Sequence, residues 1–106
     1  GMAKQLVYSA LNIKADEAYR IGLVNAVYPL AELYAAAEKL ASQIAANAPI
    51  AVRAAKKAIN EGLDLPMDEA VVVEEKAFGS CFETADQQEG MGAFLEKRKH
   101  EPFTNK

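Results

Sequence analysis

The sequence is poor in the residues that build self-sufficient chemistry. It holds one cysteine, Cys81, and one histidine, His100. A lone cysteine cannot close an intramolecular disulfide, so nothing points to secretion. One Cys with one His also offers no zinc-ligand spacing. No apolar run approaches the ~20 residues that span a bilayer, and no signal-peptide pattern precedes the first charged residue, Lys4. Positive charge is scarce as well. Twelve Lys and Arg against 15 Asp and Glu leave a net charge of −3, the wrong sign for a general nucleic-acid binder. These absences predict a soluble, reduced, cytoplasmic protein with no nucleic-acid or membrane partner.

The familiar catalytic signatures are missing too. Gly90-Met91-Gly92 is too short for a phosphate-binding fingerprint, because G-x-G-x-x-G would need glycine where Leu95 stands, and there is no Walker sequence. Ser9, Ser42 and Ser80 have no G-x-S-x-G elbow. The acid pairs Asp16/Glu17 and Glu74/Glu75 are chain neighbours, which do not share a helix face. Asp86 and Glu89 are spaced i, i+3, but they fall in a polar first helical turn where solvated acids are expected. Residue types and spacing therefore predict no catalytic residues and no metal ligands.

What is present is helical periodicity. The chain of 106 residues is 51% hydrophobic, much of it alanine, and is one domain's worth or one segment of something larger. Met2 to Ala10 reads as a short helix or the end of one. A second helix is expected from about Ala15 to Ile21, with Asp16 and Glu17 in its first turn, Arg20 near its end and Gly22 beyond it. Val24 to Tyr28 is β-prone, a strand with no partner strand in these residues. Leu33, Ala37, Leu40 and Ile44 recur at helical spacing from Ala31 to Ala46. Pro49 opens a helix that Gly62 closes, and Pro66 opens one through about Phe82. Thr84 and Gln87 have capping-box spacing, so another helix is expected from near Ala85, with Met91, Phe94 and Leu95 as its apolar anchors and Pro102 as its stop. The glycines 90 and 92 suggest close approach of another backbone. Lys97-Arg98-Lys99 reads as a solvated helix end. The fold class is mainly α with one orphan strand.

Three stretches together resemble one known family. ADEAYRIGLVNAVYP, NAPIAVRAAKKAINEG and AFGSCFETADQQEGMGAFLEKRKHEPF are similar, in order and spacing, to the C-terminal part of the crotonase superfamily, specifically short-chain enoyl-CoA hydratases (3-hydroxybutyryl-CoA dehydratases). The resemblance runs nearly from end to end and is most specific in the last third. It implies the crotonase/ClpP-like fold: residues 1–29 as the end of a repeated ββα spiral core, and 30–106 as the C-terminal helical, trimerisation region.

The resemblance further implies a trimer or dimer of trimers, with these helices packing between subunits and helping to form the coenzyme A pocket. Full-length relatives polarise the thioester carbonyl with two backbone N–H groups and handle the added water with two glutamates. All of those groups would precede Gly1, so the chain alone is expected to be inactive, with no catalytic residue and no cofactor beyond the CoA thioester substrate of the parent enzyme. The family's contacts near the adenine and 3′-phosphate of CoA fall on Phe78, Phe94 and Lys97. The implied partner is a homo-oligomer or the missing N-terminal core. A free-standing helical interaction module without catalytic activity is the competing expectation.

Overall fold

The computed structural model describes all residues, 1–106. Six helices make up the regular structure: α1 Met2–Ser9, α2 Ala15–Arg20, α3 Leu30–Ala45, α4 Pro49–Gly62, α5 Met67–Cys81 and α6 Ala85–Leu95. The chain divides into two units, Gly1–Glu38 and Lys39–Lys106, and the division falls within α3. No helix is long and apolar enough to cross a membrane.

In the first unit, α2 is stabilised at both ends by its own sequence. Glu17 and Arg20 pair across one turn through two 2.6 Å hydrogen bonds, which holds the Glu17 carboxyl below its ordinary range. The helix ends in a Schellman cap. Gly22 takes a left-handed φ of 74°, its N–H bonds Tyr19 O at 3.0 Å, and the Leu23 N–H reaches back to Ala18 O at 2.8 Å. Ala18, buried beneath this cap, is one of three buried residues in the chain.

The expected strand at Val24–Tyr28 does not form: residues 23–25 bend and residues 26–29 have no regular structure. The cap gives the reason. The N–H groups of Leu23 and Val24 both turn back to Ala18 O, and an extended segment without a neighbouring strand has no ladder to join. The architecture is therefore all-helical.

The second unit is organised by the α4/α5 hairpin. Pro49 occupies the first turn of α4, where its missing N–H costs nothing. The short connection 63–66 returns the chain so that α5 packs along α4. Small side chains let the helices close in; a β-carbon on Gly62 would lie 3.4 Å from that of Ala70. The hairpin leaves an open groove of about 630 Å³ lined by Ala54, Ala58, Ile59, Val71 and Phe78 among others.

Few apolar side chains are covered. Leu33, Leu40 and Ile44, the predicted stripe of α3, are all exposed, and Leu30 is 88% exposed. The accessible surface is 9010 Å², whereas even two separately folded units of these lengths would show only about 7,000 Å². The helices thus carry faces that nothing in the chain covers. The isolated chain is expected to associate with rising concentration in sedimentation velocity and to enhance the fluorescence of an apolar-surface dye. A monodisperse monomer without dye response would contradict that expectation.

Candidate functional site

The chain's densest polar constellation lies at the end of the second unit, where residues 96–106 fold back on α6. Thr84 caps the helix as its spacing predicts: its Oγ1 accepts the Gln87 N–H at 3.1 Å. Only half of the capping box forms, because the Thr84 N–H is taken by Cys81 O at 3.1 Å. The next two free donors of the first turn, the N–H groups of Ala85 and Asp86, bond the main-chain oxygen of Lys106 at 2.8 and 3.3 Å. Returning chain thus satisfies groups that a helix start otherwise leaves to water.

Two carboxylates of α6 grip that returning segment. Asp86 is 3% exposed. Its Oδ1 accepts the Thr104 N–H at 2.6 Å and the Thr104 hydroxyl at 3.2 Å, and its Oδ2 accepts the Asn105 N–H at 2.9 Å. Asn105 sits at a left-handed φ of 61°, which asparagine tolerates, and its Oδ1 accepts from Arg53 of α4 at 2.6 Å. One turn on, Glu89 accepts both Arg98 terminal nitrogens, at 2.6 and 3.0 Å, and the Glu101 N–H at 2.8 Å. The fork-to-fork pair with Arg98, followed by the Glu101 bond, lowers the Glu89 carboxyl from 4.5 to about 2. Arg98 also donates through Nε to Glu96 at 2.6 Å.

These acids are structural ligands of the chain itself rather than the solvated first-turn carboxylates that spacing alone suggests. The difference arises because their partners lie 9 to 19 residues away, beyond any local pattern. The returning segment also passes the helix glycines, at distances that would admit a β-carbon. A β-carbon at Gly90 would meet only the Phe103 ring, at 3.6 Å, and one at Gly92 only the Arg98 guanidinium, at 3.8 Å. What approaches α6 at the glycines is side chain from the returning segment; no backbone comes close. Phe103 is in turn stacked on His100, with ring centroids 4.3 Å apart.

The helix ends earlier than Pro102. It stops at Leu95, and Lys97 adopts a left-handed φ of 55°. The cap repeats that of α2: the Lys97 N–H bonds Phe94 O at 3.2 Å and the Arg98 N–H bonds Ala93 O at 3.0 Å. The basic run therefore lies in and beyond the cap, not in the last helical turn. Arg98 is an anchor rather than a surface charge, while Lys97 makes no ion pair.

Of the three residues implied by family resemblance, the structure brings two together. Phe94, 77% exposed, and Lys97 share the turn that closes α6. Phe78 lies apart on α5, where it lines the hairpin groove. It is 65% exposed and packs edge-to-face on Phe82, with centroids 5.1 Å apart. Together these residues offer flat apolar surface and one unpaired cation, the means to hold an aromatic ring and an anion. No cluster of three or more His, Cys, Asp or Glu side chains that could hold a metal ion is present.

Two measurements follow from the clamp. Asp86→Ala strands two main-chain donors and is expected to cost about 2–4 kcal/mol, read from the urea midpoint. The Glu89 carboxyl has a folded value below its unfolded one, so its stabilisation is present above pH 4.5 and lost as pH falls towards about 2. Hydrogen-exchange protection of the Glu101 amide is expected to fall across that window and to be flat above it.

The whole chain, residues 1–106, matches the enoyl-CoA hydratase/isomerase family. It is 54% identical over 106 residues to a short-chain-enoyl-CoA hydratase of Clostridium acetobutylicum, covering all of this chain and 41% of that protein. A crotonyl-CoA hydratase of Syntrophomonas wolfei is 54% identical over 99 residues, covering 93% of this chain and 38% of the relative. The crystal structure of an enoyl-CoA hydratase from Bacillus anthracis superposes with a TM-score of 0.93 at 39% identity, over 100% of this chain and 41% of that one. The chain thus spans about two fifths of these relatives, at their C-terminal end.

Proposed function

This chain belongs to the enoyl-CoA hydratase/isomerase family, and on that premise we propose that it is the C-terminal helical part of a short-chain enoyl-CoA hydratase. Its role there is to complete the subunit assembly and to hold the nucleotide end of the CoA thioester. The observation that carries this reading is the match of every residue of the chain to two fifths of a hydratase at 54% identity. The uncovered helix faces support it, because a partial fold leaves bare the surfaces that its remainder covers.

In the whole enzyme, water adds across the C2–C3 double bond of a 2-enoyl-CoA to give the 3-hydroxyacyl-CoA. A base takes a proton from water as its oxygen bonds C3. Electron density moves to the thioester oxygen, where N–H donors stabilise it, and C2 is protonated as that density returns. The groups for those steps would lie upstream of Gly1, and residues 1–29 would complete the core that carries them. This chain's contribution is binding remote from the reacting carbons, which enzymes use to orient the substrate. Phe94 and Phe78 supply flat apolar surface for adenine, and Lys97 supplies a point charge for the 3′-phosphate. CoA thioester and neighbouring subunits are its partners.

A free-standing helical interaction module is the weaker reading, because such a module would cover more of its own apolar stripes.

The test is a hybrid enzyme. The pure chain is expected to show no hydration of crotonoyl-CoA. Grafted in place of the matching C-terminal two fifths of the Clostridium acetobutylicum hydratase, it is expected to yield a hydratase within about tenfold of the parent kcat/KM, a barrier difference of about 1.4 kcal/mol. A folded hybrid without hydratase activity would overturn the proposal.

A further inference from the structure

The two Schellman caps of this chain differ in one residue that matters. At the end of α2 the left-handed position is Gly22, with a φ of 74°; at the end of α6 it is Lys97, with a φ of 55°. The hydrogen bonds are equivalent, 2.8 and 3.0 Å for the outer bond and 3.0 and 3.2 Å for the inner one. Glycine takes this conformation without strain, whereas a β-carbon crowds the following carbonyl. Strain held at a charged, exposed residue is a pointer to function when the surroundings over-determine it.

The surroundings here do so. Glu96 and Arg98 flank Lys97 in sequence and are joined to each other by a 2.6 Å bond from Arg98 Nε to Glu96 Oε2. Arg98 is tied in turn to Glu89, one helical face back, by two further bonds of 2.6 and 3.0 Å. Glu89 secures the outgoing chain through the Glu101 N–H at 2.8 Å. The turn carrying Lys97 is thus bolted on both sides. The same contacts have an electrostatic effect. Glu96, adjacent to Lys97, and Glu89 both turn their carboxylates to Arg98, and no acid pairs with the Lys97 ammonium.

We infer that Arg98, gripped by Glu89 and Glu96, is a positioning residue for Lys97: it fixes the left-handed turn and draws both nearby carboxylates to itself, so that the Lys97 ammonium stays free for a phosphate monoester. The inference rests on the reading of Lys97 as a contact of the CoA 3′-phosphate. Arg98 itself touches no substrate; it acts through Lys97.

Equilibrium dialysis of the hybrid hydratase that carries this chain, against CoA and against dephospho-CoA, which lacks only the 3′-phosphate, separates the two ideas. The unaltered hybrid is expected to favour CoA by about tenfold, the worth of one charge-assisted contact. Lys97→Gly is expected to bring the preference to unity with the turn intact. Glu89→Gln and Arg98→Gln are expected to cut it to about threefold or less, and Arg98→Lys to recover part of it, with dephospho-CoA affinity and helical circular dichroism unchanged. Equal affinities in the unaltered hybrid would overturn the Lys97 reading, and the positioning role with it. A preference lost in Lys97→Gly but kept in Glu89→Gln and Arg98→Gln would overturn the positioning role alone. So would loss of dephospho-CoA affinity or helicity in those two variants, since the cluster would then be holding the fold at large.

Discussion

Isolated helices of this length are marginal in water, and an amphipathic helix becomes stable when its apolar stripe is covered. This chain covers few of its stripes. Ala18 and Ala93 are its only buried apolar residues, and both are too small to anchor a core. The other features follow from that shortage. The α4/α5 hairpin closes on alanines and Gly62 and leaves a groove open, α3 shows its leucines to solvent, and Val24–Tyr28 remains without a ladder. Membership of the hydratase family gives the shortage a natural cause, since the relatives carry more than half of their length outside the matched region.

Where apolar burial is missing, polar contacts hold the chain locally. The segment after α6 is fastened by Asp86, Glu89, Arg98 and the main-chain oxygen of Lys106. Of these, the Asp86 contacts carry most weight, because a buried carboxylate that receives three donors cannot lose them without stranding charge. The Glu89–Arg98 pair is more exposed and salt-sensitive. Its importance lies in geometry, since it closes the turn around Lys97.

Much of the helical architecture was legible because it is written in local chemistry. Pro49 marks the start of α4, Gly22 the end of α2, and Thr84 the start of α6, each through a backbone rule that acts within one turn. Structure departs from local pattern where local and non-local preference diverge. Val24–Tyr28 has the β-branched and aromatic composition of a strand, but strand formation depends on a neighbour that composition does not reveal. Lys97 gives no local signal for a left-handed turn, because propensity favours glycine there. Asp86 and Glu89 read as ordinary first-turn acids, since nothing within a turn of them shows that Thr104, Asn105 and Arg98 will return.

By itself, then, the sequence determined the six helices, several of their ends and, through three ordered motifs, the family. These rest on interactions spanning one to four residues, or on a pattern long enough to be specific. Only the tertiary structure decided that the expected strand is unformed, that two acids of α6 are clamps, that Phe94 and Lys97 share a turn while Phe78 stands apart, and that Lys97 is left unpaired. Each of those outcomes depends on which distant groups meet. A carboxylate looks the same in a sequence whether water or a returning backbone satisfies it.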